Sequence, residues 1–361
     1  MHIPDGYLGP QTYVPLFGLM ALLWTAALRR LKRTLRLRQV PVLALGAAFS
    51  FVIMMFNIPI PGGTTGHAVG AVLIAILLGP WAAVVAVSLA LMVQALIFGD
   101  GGLTAIGANC FTMAVVMPFV GWGAYRVIAG RRPATSARHW IGAAVGGYVG
   151  LGAAAVVAGG LFGIQPLIAR SADGQPLYCP FGLQVAVPAM AVEHLLLFGL
   201  VEAAVTALVL VYLRRTAPAM LGAAVGPEPL SARVVPVLAL GLGLLILLAP
   251  LGLLLPKALH AGSAWGEWSA GEVKEEIAKA GGSATAGYVP AGIRQAEEHG
   301  WRAAMPDYAF RGQASAGLAA LSLAYVISGV LGVATLVVVI WLFARRLARE
   351  EAAGGTTRLD A

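Results

Sequence analysis

Charge is scarce in this chain: 11% of its 361 residues are Asp, Glu, Lys or Arg, and 59% are apolar. An ordinary soluble domain carries about 25% charge, so the imbalance excludes a soluble enzyme. Cysteine is nearly absent. Cys110 and Cys179 are too few for a disulfide framework or a four-thiolate metal site, and no CxxC is present, so redox chemistry is not expected. The sequence lacks a GxxxxGK[ST] loop for nucleotide hydrolysis, an HExxH helix for a zinc protease and a GxSxG-like nucleophile turn. Any ATP-driven work would fall to partners. The net charge of +8 does not signal nucleic acid, because Lys and Arg sit in short clusters between apolar runs with no interleaved aromatics.

Apolar runs are abundant. Segments near the ~20 residues needed to cross a bilayer fall at 11–28, 40–58, 68–98, 103–128, 140–164, 183–213, 234–255 and 316–344. The third is too long for one helix and is interrupted by Gly79-Pro80-Trp81, where proline removes a helical hydrogen bond. Charge decides how often it crosses. Basic clusters occur at Arg29-Arg30-Leu31-Lys32-Arg33 with Arg36 and Arg38, at Arg126 to Arg138, at Arg214-Arg215, at Arg233, and at Arg345-Arg346-Arg349. Two passes turning at Gly79-Pro80 put every cluster on one side, as the positive-inside rule requires. The reading is an all-α polytopic membrane protein of about nine segments, grouped seven plus two, with the N-terminus outside the cell membrane and the C-terminus cytoplasmic. Residues 1–215 form one membrane domain and 216–232, rich in Ala, Pro and Gly, a cytoplasmic linker. Residues 233–346 form a two-span module around an outer domain at 256–315, which holds seven of the sixteen acidic residues, and 347–361 a cytoplasmic tail.

The first apolar run has no basic region before it and no small-residue cleavage site after it, so the chain is expected to keep its initiator end. That end reads Met1-His2-Ile3-Pro4-Asp5-Gly6. A free Met1 amine, the His2 amide nitrogen and the His2 imidazole can close adjacent five- and six-membered chelate rings, placing three nitrogens in a plane. A fourth in-plane donor completes a square-planar N4 site, the geometry of Ni(II) or Cu(II). His67 is expected on the same outer face, after the stiff turn Pro59-Ile60-Pro61-Gly62-Gly63-Thr64-Thr65-Gly66. Between Val40 and Tyr125 the other ionisable side chains are Asp100, Cys110 and Tyr125 itself. Neutral imidazole suits nickel, cobalt, copper and zinc alike. Asn57, Gln94, Asp100 and Asn109, near outer helix ends, are candidates to hold the ligands in place, with helix capping the competing role for each. Glu193, His194 and Glu202 lie inside an apolar run, where ionisable groups are costly. They read either as a paired structural cluster or as a metal path through a self-sufficient secondary transporter or channel.

The opening Met1-His2-Ile3-Pro4-Asp5-Gly6-Tyr7-Leu8, the stretch Pro59 to His67, the turn Leu78-Gly79-Pro80-Trp81, and Gln94 to Gly102 with Gly107-Ala108-Asn109 resemble the CbiM/NikM family. That family supplies the substrate-capture subunit of energy-coupling-factor importers for nickel and cobalt. The resemblance implies a square-planar site held by Met1, His2 and His67, with Ni(II) or Co(II) as cargo, cobalt feeding cobalamin synthesis, and no prosthetic group. It implies partners as well: a transmembrane coupling protein and two cytoplasmic ATPases, with Ala44 and Ala48 as a small-residue contact stripe. Residues 233–346 are similar to the small CbiN/NikN subunit, and Pro306-Asp307-Tyr308-Ala309 resembles the PDGLE-type domain fused to some members. His260, Glu267 and His299 in the outer domain are expected to be solvated loop residues. The sequence does not separate nickel from cobalt.

Overall fold

The computed structural model describes residues 1–35, 39–59, 63–133, 136–216, 234–258, 264–281, 287–313 and 316–356. Arg36, Arg38, Arg233, His260 and all of the expected linker except Thr216 lie outside the described residues. The rest is almost entirely helical; a two-residue antiparallel pair, β1 (Ile58–Pro59) with β2 (Thr65–Gly66), is the one named sheet among the described residues. Among the described residues seven helices are long and apolar enough to cross a membrane: α1 (Pro10–Thr34), α4 (Pro80–Phe98), α5 (Ile106–Ala129), α6 (Arg138–Ile168), α7 (Leu183–Thr216), α8 (Val235–Pro256) and α11 (Leu318–Arg346). Two shorter apolar helices, α2 (Val40–Met54) and α3 (Ala71–Leu78), precede α4. Two polar helices, α9 (Ala270–Gly281) and α10 (Ala291–His299), lie between α8 and α11. The chain is a multi-pass membrane protein.

Helices α3 and α4 part at Gly79, whose φ of 91° and ψ of 156° only glycine adopts readily, and Pro80 then opens α4 with its fixed φ. The long run breaks where the sequence places its turn. Bilayer tails are as apolar as Leu, so helices inside a membrane associate through close backbone approach rather than hydrophobic burial. The glycines of α6 supply it on two faces. A Cβ on Gly146 would sit 2.6 Å from the Gly121 carbonyl of α5, and one on Gly150 2.8 Å from the Met117 carbonyl. On the other face Gly147 abuts the Glu202 carbonyl and Gly159 the Ala186 carbonyl, both of α7. Helix α2 packs against α4, α8 and α11. Ala48 is fully buried there and Ala44 half-buried.

Three π-helical turns interrupt the bundle: Gln94–Phe98 ends α4, Cys110–Val116 follows the first turn of α5, and His194–Phe198 lies within α7. Such turns concentrate at functional sites because they re-aim side chains. Cys110 and Cys179 are buried and free.

Close packing at Gly146 yields a stability test. Gly146→Leu is expected to force α5 from α6 at a cost of about 1–3 kcal/mol, read as a lower unfolding midpoint in detergent, whereas Gly160→Ala, with open space around it, is expected to leave the midpoint unchanged.

Candidate metal centre

The first nine residues run into the bundle without regular secondary structure, turning at Asp5-Gly6, and Met1, His2, Ile3, Tyr7 and Leu8 are buried. Backbone taken from water needs partners for its polar groups, and side chains supply several. Asn109 receives the Ile3 N–H on Oδ1 at 2.8 Å and donates Nδ2 to the Ile3 carbonyl at 3.0 Å, the double contact a neighbouring strand would make. Gly102 N–H reaches the same carbonyl at 2.9 Å. The Asp5 carboxylate accepts Leu103 N–H at 3.0 Å and Thr104 N–H at 2.8 Å, Tyr7 C=O accepts Cys179 N–H at 3.1 Å, and Gly9 N–H donates to Gln165 Oε1 at 2.9 Å.

This docking brings the chain terminus against His67. The Met1 amine donates to the Thr65 carbonyl at 2.9 Å. The His2 and His67 rings stack with centroids 4.8 Å apart and planes 29° from parallel. His67 Nδ1 donates to the Ala68 carbonyl at 3.2 Å, so in the neutral ring the lone pair sits on Nε2. The Nε2 atoms of His67 and His2 are buried without a hydrogen-bond partner among the described residues. A buried orphan costs ~1–3 kcal/mol, and two side by side call for an unmade bond. Burial lowers the pKa of the Met1 amine against the opposing pull of Glu267, Asp100 and Glu193. Burial also drives His67 well below its ordinary value, and the amine and His2 reinforce it. Both groups therefore favour their neutral, ligating forms.

Asp100 lies 2.9 Å from His2 Nδ1 through Oδ1. Burial pushes its pKa up, but the charge and hydrogen bond of His2 and the bond from Tyr308 outweigh it, and the net shift is downward. Gln94 Nε2 donates to Asp100 Oδ2 at 3.2 Å and to the Tyr308 hydroxyl at 2.9 Å, and Tyr308 donates to the same Asp100 oxygen. Asp100, Gln94 and Asn109 thus gather around His2 and Ile3. Asn57 stands apart, beside Gly252 of α8, with its Oδ1 unpartnered.

The intramembrane acids serve the loop that carries His67. Glu193 Oε1 accepts Thr64 N–H at 3.1 Å, and Glu202 accepts Val69 N–H at 2.7 Å and Gly70 N–H at 3.1 Å. One carboxylate therefore holds each end of the segment Thr64 to Gly70. His194 is bonded to neither; its Nδ1 donates to the Met190 carbonyl at 2.7 Å.

Sequence reasoning missed how far the second module reaches. Tyr308, expected only as part of a C-terminal motif, is buried and stacks on Phe98 at 5.0 Å. Glu267, expected to be solvated, accepts a hydrogen bond from Thr65 Oγ1, and burial raises its pKa. Trp265 N–H donates to the Gly63 carbonyl at 2.8 Å and Tyr7 OH to the Trp268 carbonyl at 2.9 Å. The positive φ of Asp307 and Tyr308, at 50° and 61°, marks a constrained turn, but no local sequence pattern reports that it meets Asp100. His299 is 3.8 Å from Glu298 on the outer surface, away from the site. A cavity of about 360 Å³, lined by Asp5, Glu267, Glu272 and Glu297, opens beside the N-terminal turn. Among the described residues no three His, Cys, Asp or Glu side chains converge on one point.

Known proteins are similar to this chain in sequence and in fold. Residues 2–220 match the CbiM family, described as the cobalt uptake substrate-specific transmembrane region, and residues 237–349 match the PDGLE domain. The chain is 45% identical over 360 residues to the fused nickel transport protein NikMN of Rhodobacter capsulatus, covering 98% of this chain and all of that one. It is 42% identical over 358 residues to the probable fused nickel transport protein LarMN of Lactiplantibacillus plantarum, covering 97% and 98%. A crystal structure of a truncated transition metal transporter is 49% identical and superposes with a TM-score of 0.57 over 60% of this chain and 99% of that one.

The Asn109 clamp can be tested directly. Asn109→Ala removes both bonds to Ile3 and is expected to speed amide hydrogen exchange over residues 1–8 by roughly ten- to a hundredfold, corresponding to ~1–3 kcal/mol; exchange at wild-type rates would show that other contacts hold the segment.

Proposed function

The chain belongs to the CbiM family, and from that premise we propose that it captures Ni(II), ahead of Co(II), from outside the cell and holds it in a square-planar site of four nitrogens. The donors are the Met1 amine, the His2 amide, His2 Nδ1 and His67 Nε2. The observation that carries this reading is the buried N-terminal segment stacking His2 on His67, with both Nε2 atoms unpartnered. Nickel is placed first because the two full-length relatives are named as nickel transport proteins, and because a planar field with a deprotonated amide favours low-spin Ni(II).

Residue roles follow from the contacts. Asn109, Asp5 and Gly102 fix the backbone around Ile3 and Asp5, so the His2 ring is the part of the chelate left for binding to arrange. The six-membered ring needs His2 Nδ1 on the metal, and Nδ1 lies 2.9 Å from Asp100 Oδ1. Capture therefore turns the ring about its Cβ–Cγ bond, exchanging Nδ1 with Cδ2 and bringing Nε2–H toward Asp100, the usual carboxylate partner of a metal-bound histidine. Binding is not turnover, and the chain acts as a carrier rather than a catalyst. Nine membrane segments, with the N-terminus outside, put the site within reach of external metal through the acidic cavity. The family's energy-coupling-factor arrangement adds a transmembrane coupling protein and two ATPases to drive release inward. Residues 233–346 then form a separate two-span module joined by a cytoplasmic linker.

Metal titration of the purified chain tests the site. His2→Ala and His67→Ala are each expected to lower nickel affinity by more than about a hundredfold and to erase the planar d–d absorption band. A chain whose Met1 remains formylated is expected to behave in the same way. Blocking the amine discriminates better than adding a residue, since an extra residue would create a new amine–amide–amide–imidazole chelate. Nickel affinity retained in all three would overturn the site.

Proton competition gives a second test. The amide must lose its proton to ligate, so affinity is expected to fall about tenfold per pH unit for each proton released on binding. Because burial already lowers the amine and His67, these two groups are expected to add less to the slope than exposed ones would.

A further inference from the structure

Tyr308 reaches the capture site from the second module by a line of direct contacts. Its hydroxyl accepts a hydrogen from Gln94 Nε2 at 2.9 Å, so its own proton goes to Asp100 Oδ2, and Gln94 Nε2 gives its other hydrogen to that same oxygen at 3.2 Å. Two donors therefore occupy Oδ2. The other oxygen, Oδ1, is turned to the His2 ring, 2.9 Å from Nδ1. A carboxylate held in this way cannot rotate about its Cβ–Cγ bond without giving up both donors, so the Tyr308 hydroxyl helps to fix where Oδ1 points.

Several contacts hold that hydroxyl in place. The last carbonyls of a helix have no intrahelical donor, and the end of α4 takes its donors from the second module: Trp301 Nε1–H reaches the Leu96 carbonyl and Met305 N–H the Ile97 carbonyl, each at 2.9 Å. The Tyr308 ring lies on Phe98, with centroids 5.0 Å apart. From the other side Ser328 of α11 donates to the Tyr308 carbonyl at 3.0 Å. Asp307 and Tyr308 both take positive φ, and non-glycine residues keep that conformation where the surrounding structure over-determines it. Ser328, Tyr308, Asp100 and His2 thus form a continuous run of polar contacts from a membrane helix of the second module to a proposed metal ligand.

We infer that Tyr308 is a positioning residue of the capture site: its hydroxyl fixes Asp100, Asp100 orients the His2 imidazole, and the seating of residues 301–308 on the end of α4 thereby sets how tightly the chain holds nickel. The inference rests on the capture site proposed above. A carboxylate beside a ligating histidine fixes the ring and its tautomer, and its loss weakens metal binding. The His2 ring is the part of the chelate that binding must arrange, so a carboxylate held in one place lowers the cost of arranging it. A packing role for Tyr308 would act through the Phe98 stack and would not need Asp100.

Nickel titration of the full chain, read by affinity and by the planar d–d band, tests it in the unmodified protein, in Tyr308→Phe, in Asp100→Asn and in the two changes combined. Tyr308→Phe keeps the ring on Phe98 and drops the hydroxyl; it is expected to lower nickel affinity about tenfold with the planar band retained. Asp100→Asn is expected to cost at least as much. The combined chain is expected to match Asp100→Asn within about twofold, because changes that act through one residue do not add. Nitrogen NMR of the histidine-labelled, metal-free chain gives a readout that packing alone does not move: the His2 ring signals are expected to shift in Tyr308→Phe, while those of His139, which is bonded to Tyr125 instead, stay. The inference is overturned if Tyr308→Phe binds nickel within about twofold of the unmodified chain, if it costs about another tenfold on top of Asp100→Asn, or if the His2 signals do not move. If Tyr308→Phe does not fold, Ser328→Ala, which releases the Tyr308 carbonyl and leaves the hydroxyl, carries the same comparison: a several-fold loss that vanishes in the Asp100→Asn background is expected, and no loss or an additive one overturns the inference. Failure of the capture site itself reads differently: the unmodified chain would then bind nickel without a planar band, whatever stands at position 308.

Discussion

A chain terminus buried inside the bundle is the constraint on which this structure turns. An amine prefers to be charged and hydrated, and Met1 is neither exposed nor paired with a carboxylate; its hydrogen bond is to the Thr65 carbonyl. Burial strips the amine of its preference for a proton, and a protein that suppresses that charge gains a neutral nitrogen donor at a fixed point. Holding it there takes a segment with nearly every neighbour enlisted. Asn109 stands in for a β partner at Ile3, Asp5 ties the turn to Leu103 and Thr104, and Gln165 closes the end at Gly9.

The same logic explains acids inside the membrane. A charged carboxylate in an apolar bundle is costly unless its oxygens accept strong hydrogen bonds. Glu202 takes two backbone N–H groups at the start of α3, where Gly70 sits in a left-handed conformation and its own side chain can offer no cap. Glu193 takes one from Thr64 at the other end of the loop. The pair acts as two fasteners around His67, so an intramembrane cluster that looks like a translocation path from its spacing is in large part the framework of a loop. His194, between them in sequence, is left out of that framework.

The two modules are not independent about the site. Tyr308 and Gln94 bracket the Asp100 oxygen remote from His2, and Glu267 receives the Thr65 hydroxyl next to the Met1 amine. One contact bears on the imidazole side and the other on the amine side. Aromatic packing of Tyr308 on Phe98 and Tyr325 holds the Tyr308 hydroxyl against Asp100.

The bundle was legible in the sequence because a membrane imposes a one-dimensional rule: apolar runs of spanning length, basic clusters between them and a Gly-Pro break are all local signals, and they agree on the helices and on the Gly79 turn. The Met1–His2 chelate can be proposed from the sequence for a similar reason, since it is a property of adjacent atoms and needs no fold. Asp100, Gln94 and Asn109 could be nominated as polar groups at helix ends, but nothing in the sequence says that Asn109 would grip Ile3 or that Asn57 would stand aside at Gly252. Tertiary structure alone decided that Glu193 and Glu202 bind backbone, that Tyr308 and Glu267 arrive from 200 residues away, and that His194 keeps a bare nitrogen. Local patterns record what a residue can do; which partner satisfies it depends on distances between segments that only packing of the whole chain sets.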